Sequence, residues 1–368
     1  MTSPTYTSAH TTPRLPAELF RPIIALLKDH RPTLYALCLS THLLQHEAER
    51  HLYADLDEST AADTSLHIAF LSTITRNPRL AQLVQVYHSI NIVHYQEAPL
   101  WVLLSQALRR MDNLKVLHFR MFGGHPAAEL LLGAPFQLER LHWANHSEGS
   151  AMAAVLAEQQ HLLYLYLESR RDTTFPPTCC PNLKELSGNR VTLEALLPGR
   201  HIEDVAWVPE LQDANFGNGG GVNHLEKELT NLRTLSFGGY FARPHFGLVV
   251  DYLGRLEKLE LVGLLSDELM LLKRLAPLQH LIFSFKWGSR HLQPIPVDFS
   301  QRQRLVEELF AWCPNLKCVD IAHEWTTVAD IWYQRWARGG KDGERWEERE
   351  GDGPSHGIDD GGQVWAVR

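Results

Sequence analysis

The residues with the most chemistry in them are the histidines, of which the chain has 20. A zinc-protease helix places two of them at i and i+4, on one face, with a glutamate between them as base. The nearest stretch is His46-Glu47-Ala48-Glu49-Arg50-His51. Its histidines are five apart, so on a helix they diverge. His323-Glu324 has no second histidine in range. The cysteines, Cys38, Cys179, Cys180, Cys313 and Cys318, include no Cys-x-x-Cys pair. Cys179-Cys180 adjoins Pro181 and reads as buried packing. Gly217–Gly221 and Gly339-Gly340-Lys341-Asp342 lack the Gly-Lys-Ser/Thr that cradles phosphate, and no Gly-x-Ser-x-Gly elbow is present. The expectation is a binding protein with no catalytic residue, no metal and no cofactor.

Charge narrows the partners. The formal net charge is −8, against the basic face that nucleic acid requires. Residues 338–362 hold four Lys/Arg and eight Asp/Glu, so half of that charge belongs to the tail and the rest is near neutral. No apolar run reaches the roughly 18 residues needed to span a bilayer. An odd cysteine count with no secretory leader predicts a reducing compartment, cytoplasmic or nuclear. No membrane and no nucleic acid are expected as partners.

The elements that would position a binding surface come from one stretch that is written repeatedly. Leu114/Leu117/Phe119 returns as Leu138/Leu141/Trp143, Leu162/Leu165/Leu167, Leu183/Leu186/Gly188 and Ile202/Val205/Trp207. It continues as Leu232/Leu235/Phe237, Leu256/Leu259/Leu261, Leu278/Leu281/Phe283 and Leu316/Val319/Ile321. First positions are 24, 24, 21, 19, 30, 24, 22 and 38 residues apart. The last two apolar residues of each copy are two apart, so in a strand they share a face, and the first turns inward at the preceding corner. Helix-like segments such as 99–108 and 301–312 lie between copies. Such a unit buries its apolar face only by stacking on its neighbours. The pattern predicts parallel strands near 116–120, 140–144, 164–168, 185–188, 204–208, 234–238, 258–262, 280–284 and 318–322. The period resembles that of leucine-rich repeats, about 20–29 residues per unit.

The two long intervals hold inserts, Pro209–Glu226 and Trp287–Ser300, which leave the same rim of such a stack. Trp325, Val328, Trp332 and Trp336 fall at near-helical spacing and predict a terminal capping helix. Residues 1–13 and 338–368 are expected to be disordered. Residues 57–66 read as a linker, and the repeats with their cap as 67–337.

Residues 14–56 hold three short apolar blocks, too few for an independent core. Pro22 would divide the first block into a helix to about Phe20 and another from Pro22. Leu15-Pro16-Ala17-Glu18-Leu19 with Ile23, Leu26 and Leu27 resembles the opening of an F-box, and Ala48-Glu49-Arg50-His51-Leu52-Tyr53 resembles its later helix in fungal members. The segment departs from the family at Leu44, where tryptophan is common. Cys180-Pro181-Asn182-Leu183 and Cys313-Pro314-Asn315-Leu316 are similar to the cysteine-containing repeats that follow the box. The resemblance implies an α/β leucine-rich-repeat solenoid, a curved parallel sheet with outer helices, preceded by a small helical F-box-like segment. It further implies a substrate-recognition subunit of a Skp–cullin–F-box ubiquitin ligase. Leu15, Pro16, Leu19, Ile23 and Leu27 would then bind the Skp-type adaptor of the cullin complex, as a partly exposed patch. A repeat scaffold with no ubiquitin role, its N-terminal helices only capping the solenoid, is the other reading left open.

If the leucines face in, the alternate residues face out. They are Val116, His118 and Arg120, Arg140 and His142, and Tyr164, Tyr166 and Glu168. Glu185, Ser187 and Asn189, Lys258 and Glu260, and His280 and Ile282 complete the face. Mixed charge with tyrosine anchors suits a protein target better than a polyanion. The target is expected on Tyr164, Tyr166, Glu168 and Glu185, with His118 and Arg120 beside them and the second insert as a wall.

Overall fold

The computed structural model describes residues 16–56, 64–93, 99–122, 126–145, 148–168, 173–208, 222–238, 244–263, 267–284, 299–322, 333–338 and 344–349. Leu15, most of both inserts, and Trp325, Val328 and Trp332 lie outside them. The chain forms two compact units, residues 1–88 with 96–115, and residues 89–95 with 116–368.

The first unit begins with a 3-10 turn, Ala17–Leu19, that runs directly into α1 (Phe20–Ala25). Pro22 therefore does not divide two helices. It stands in the first turn, where a missing N–H has no intrahelical acceptor to lose. α2 (Arg31–Cys38) starts at His30, whose side chain accepts from Thr33 N, and has proline in its first turn. α3 (His42–Ala54) is capped by the Thr41 hydroxyl, which accepts from Leu44 N. Only Ile24, Leu34 and Ala48 close fully at the centre of the three helices. α4 (Thr64–Arg76) starts inside the expected linker, and α5 (Pro78–Ala81) follows after the Asn77 cap. β1 (Asp55–Leu56) pairs in parallel with Val86 and Tyr87 at the start of β2 (Val86–Val93), a strand whose residues from Ser89 on are counted with the second unit, and α6 (Pro99–Leu108) completes the first.

The second unit is α/β and its sheet is mostly parallel. Its strands are β3 (Val116–Phe122), β4 (Arg140–Ala144), β5 (Tyr164–Leu167), β6 (Glu185–Gly188), β7 (Asp204–Trp207) and β8 (Thr234–Phe237). After them come β9 (Lys258–Val262), β10 (His280–Ser284), β11 (Cys318–Ala322), β12 (Tyr333–Arg338) and β13 (Glu344–Arg349). Each bonds to the next in chain order. The register is the one that the leucine spacing dictates: Leu117, Leu141, Leu165, Leu186, Val205, Leu235, Leu259, Leu281 and Val319 stand in one row. Every corner residue, from Leu138 to Leu316, is buried as well. A fully buried leucine stabilises by roughly 1.5–3 kcal/mol, so this one spacing accounts for much of the core.

The connecting segments cover that leucine face. They include α7 (Ser150–Glu158), α8 (Arg190–Leu196), α9 (Glu226–Thr230) and α10 (Phe299–Trp312). Others are only 3-10 turns, such as 128–131, 246–248 and 269–274. Phe246 meets Phe237 from such a turn, with ring centroids 5.9 Å apart. Buried Glu148 accepts from Ala127 N, Ala128 N, Asn145 and the Trp143 indole, tying the turn before β4 to the end of that strand. Asn182 and Asn315 of the two Cys-Pro-Asn-Leu corners donate to Gln160 O and Ala276 O of the repeat before.

The C-terminal expectation is corrected. Trp336 lies in a strand, not a capping helix, because β12 turns back antiparallel on β11 and pairs Trp336 with Val319. Tyr333 and Trp336 bury on opposite faces, a two-sided alternation that suits a strand. β13 pairs antiparallel with β12 and lies in the segment expected to be disordered.

Candidate functional site

The sheet face opposite the leucines is built by the residues between them, two apart on every strand. The register aligns His118, His142, Tyr166, Ser187, Ala206, Ser236, Glu260, Ile282, Asp320 and Arg335 in one row across β3 to β12. The neighbouring row carries Val116, Arg140, Tyr164, Glu185, Asp204, Thr234, Lys258, His280 and Cys318.

Six residues were expected to meet the target, and this face brings them together. His118 stacks on His142 at 5.5 Å and His142 on Tyr166 at 4.1 Å. The Tyr166 hydroxyl donates to Glu168, and Tyr164 stands opposite Glu185 in the ladder. Arg140 lies over the Tyr164 ring, 4.6 Å from its centroid. The expected exposure is corrected, however. Tyr164 is 2% and Tyr166 6% exposed, and Glu168 is buried too, while His118, Arg120 and Glu185 are half-buried. Neighbouring strands lie about 4.8 Å apart, so aligned rings and a guanidinium cover one another. The tyrosines are packed against Ala206, Val208 and Ala144 and do not stand as open anchors.

The far end of the same face is strongly charged, which counting alternate residues only partly revealed. Asp320, 1% exposed, accepts both Arg335 Nε and Nη2 at 2.6 Å and faces His280 Nε2 at 2.7 Å. Burial acts to raise its pKa, but hydrogen bonds from Arg335 and His280 outweigh that and hold it below the ordinary value. Glu260 accepts from Ser236. Burial pushes Lys258 down and Asp204 up, and raises Tyr333 well above the usual phenol range, with Glu260 and Asp320 adding to it. Arg335 joins this face because β12 is a strand. Its spacing from the tryptophans carries no signal of that.

In the first unit, Pro16, Leu19 and Ile23 are exposed and Leu27 is half-buried. Leu19, Ile23 and Leu26 recur at four and three residues, one stripe, with Leu26 85% exposed. Tyr35 on α2 and Leu39 at its C-cap form a second stripe, 62% and 72% exposed, and Leu43 is open at the start of α3. The histidine stretch on α3 is used structurally. Glu49 is buried and accepts from Arg79 at 2.6 Å and from Gln45 at 2.9 Å, while Arg79 also reaches His46.

Among the described residues, no group of three or more His, Cys, Asp or Glu side chains is placed to hold a metal ion. No described helix is long and apolar enough to cross a membrane. No protein-family model and no curated protein matches the chain.

Proposed function

We propose that this chain is a substrate-recognition subunit of a Skp–cullin–F-box ubiquitin ligase. In this reading α1 to α3 are an F-box-like segment that docks a Skp-type adaptor, and the repeats are a leucine-rich-repeat solenoid that holds a target protein. The observation that carries the reading is the exposed apolar surface of the N-terminal helices: Leu19, Ile23 and Leu26 on one stripe, Tyr35 and Leu39 on another. Soluble proteins seldom leave such stripes bare without a partner. The chain itself need supply no chemistry. It raises the effective concentration of a target beside a conjugating enzyme carried by the complex. Target contact falls on the half-buried members of the non-leucine face, His118, Arg120, Arg140 and Glu185, with the tyrosines as their packed support.

The test is co-expression of the full chain with a Skp-type adaptor and recovery of the pair by gel filtration. A stable complex is expected. Leu26→Asp with Leu39→Asp should weaken it more than tenfold, about 1.4 kcal/mol, with circular dichroism unchanged because neither side chain is in the core. Failure of the unsubstituted chain to bind the adaptor would sink the reading in favour of a repeat scaffold with no ubiquitin role.

A further inference from the structure

The chain writes the corner Cys-Pro-Asn-Leu twice, and the two copies differ in one way that matters chemically. In each, the corner cysteine is buried and its thiol donates to a carbonyl of the preceding repeat, Cys180 to Leu156 O at 3.6 Å and Cys313 to Leu272 O at 3.4 Å. In each, an arginine gathers the carbonyls of the corner. Arg338 binds Phe310 O, Cys313 O and Pro314 O. Arg200 binds the carbonyls of Pro176, Pro177, Cys179, Leu196 and Pro198. The residue before the corner cysteine is Trp312 in one copy and a second cysteine, Cys179, in the other.

That second cysteine meets two groups that stabilise a thiolate. The neighbouring Cys180 side chain acts on the Cys179 sulfur, and Arg200 Nη2 lies 3.2 Å from it. Together they hold the Cys179 thiol below its ordinary value although burial opposes them. Cys180 and Cys313 are raised instead, Cys180 first by the Cys179 sulfur beside it and then by burial, Cys313 by burial. The site thus pairs a thiolate with an adjacent thiol that can resolve it.

We propose that Cys179 and Cys180 are a reversible, peroxide-oxidised dithiol. The Cys179 thiolate attacks one oxygen of hydrogen peroxide; the O–O bond breaks, hydroxide leaves, and a sulfenic acid forms on Cys179. The Cys180 sulfur then attacks the sulfenic sulfur. The S–S bond forms, the S–O bond breaks, and the Cys180 proton departs with the hydroxyl as water. Sulfur has lost two electrons and peroxide has gained them. The ring that closes is strained, because Cα atoms across a trans peptide are about 3.8 Å apart whereas disulfides prefer about 4.4–6.8 Å. Strained disulfides are the easily reduced ones, which makes the step a switch and not a staple. Cys180 already holds a positive φ of 47°, so this turn tolerates unusual backbone. Both thiols are shut off from solvent, yet Pro176, Pro177, Thr178, Pro181 and Asn182 around them are exposed. Local opening of the turn therefore admits so small an oxidant.

Cys313 supplies the internal control. The full chain is exposed to hydrogen peroxide, quenched by alkylation at intervals, and each cysteine followed by peptide mass. Cys179 and Cys180 should lose alkylation together, about tenfold faster than Cys313, in a peptide lighter by two hydrogens that dithiothreitol restores. Cys180→Ser should stop at a sulfenic acid on Cys179 that dimedone traps, and Arg200→Gln should slow Cys179 alone. Oxidation of Cys179 no faster than of Cys313 in the unsubstituted chain would overturn the proposal. So would a sulfinic acid on Cys179 with Cys180 still free. Either result stands whether or not the variants fold.

Discussion

His142 lies face to face with Tyr166, their rings 8° from parallel and 4.1 Å between centroids, on the sheet face that carries no leucines. The pair shows that this face is a packed layer in its own right. Its aromatic side chains are stacked along the sheet, and its carboxylates have donors fixed to them.

The Tyr166 hydroxyl donates to Glu168, a buried carboxylate. Tyr166→Phe keeps the stack and removes that donor, so it should cost about 1.5–3 kcal/mol, the range for hydrogen bonds to charged groups. Tyr166→Ala also loses the ring and should cost about 3–5 kcal/mol. Urea denaturation of the two variants separates these contributions. Equal stability of Tyr166→Phe and the parent would contradict the role given to the hydroxyl.

Asp320 holds Arg335 and His280 from a fully buried position. Asp320→Asn keeps the shape but leaves the half-buried Arg335 guanidinium with a neutral partner, and about 1.5–3 kcal/mol should be lost. The folded pKa lies below the ordinary 3.8. The carboxylate's contribution is therefore complete above about pH 3.8 and fades as pH falls through the lower folded value. Thermal melts at pH 5 and pH 3 should show the parent losing more stability over that interval than Asp320→Asn.

His67 is 2% exposed and lies 2.5 Å from the Tyr87 hydroxyl. Burial lowers its pKa from 6.5 to about 4. The unfolded chain takes up a proton below pH 6.5 that the folded chain refuses, so stability is flat above that value and declines towards pH 4. The full effect is about 3 kcal/mol at 1.36 kcal/mol per tenfold change in proton affinity. His67→Gln cannot titrate, so its urea midpoints at pH 7.5, 6 and 5 should change less than those of the parent.

Gly188 holds the third apolar position of its repeat, where the other copies place residues such as Trp143, Leu167 or Phe237. A Cβ there would sit 2.1 Å from Leu167 O and 3.0 Å from the Thr192 side chain. Thr192 fills the space itself, its hydroxyl donating to Leu167 O and its N–H bonding to the Asn189 cap. Gly188→Ala should destabilise by about 1–3 kcal/mol through overpacking. Thr192→Ser removes only the Thr192 Cγ2 contact and leaves the clash with Leu167 O, so it should return little of that loss in a double-mutant cycle.

The leucine rows were legible because one asymmetric spacing states strand, face and corner at once. The strands from β3 to β11 start at the residues that this spacing indicates. The C-terminal hairpin was not legible, since tryptophans four apart satisfy a helix and β12 is too short to show alternation against them. The connections were legible only where they are long: α10 was read within two residues, while 246–248 and 269–274 are 3-10 turns with no period to find. Of the candidate site, membership was readable from residue parity, whereas burial was not. Burial depends on what the neighbouring strand places alongside, and Arg140 over Tyr164 or His142 over Tyr166 is a fact of register.

The antiparallel turn from β11 into β12 also settles a matter of arithmetic. From β3 to β11 each strand presents the next with an edge of the same polarity, so nothing in those units says how many there should be. A tenth unit, or the first unit of a second molecule, would be received as readily as the ninth. β12 reverses the direction of the backbone, and β13 reverses it again with Glu344, Arg345, Glu347, Glu348 and Arg349 along its length. β12 is paired on both edges, so a further unit could meet only β13, whose direction again matches that of β3 to β11. The stop is therefore made by the hairpin, which takes the β11 edge and leaves outermost a strand of acidic and basic residues, a composition that opposes the edge-to-edge growth of open-ended fibres.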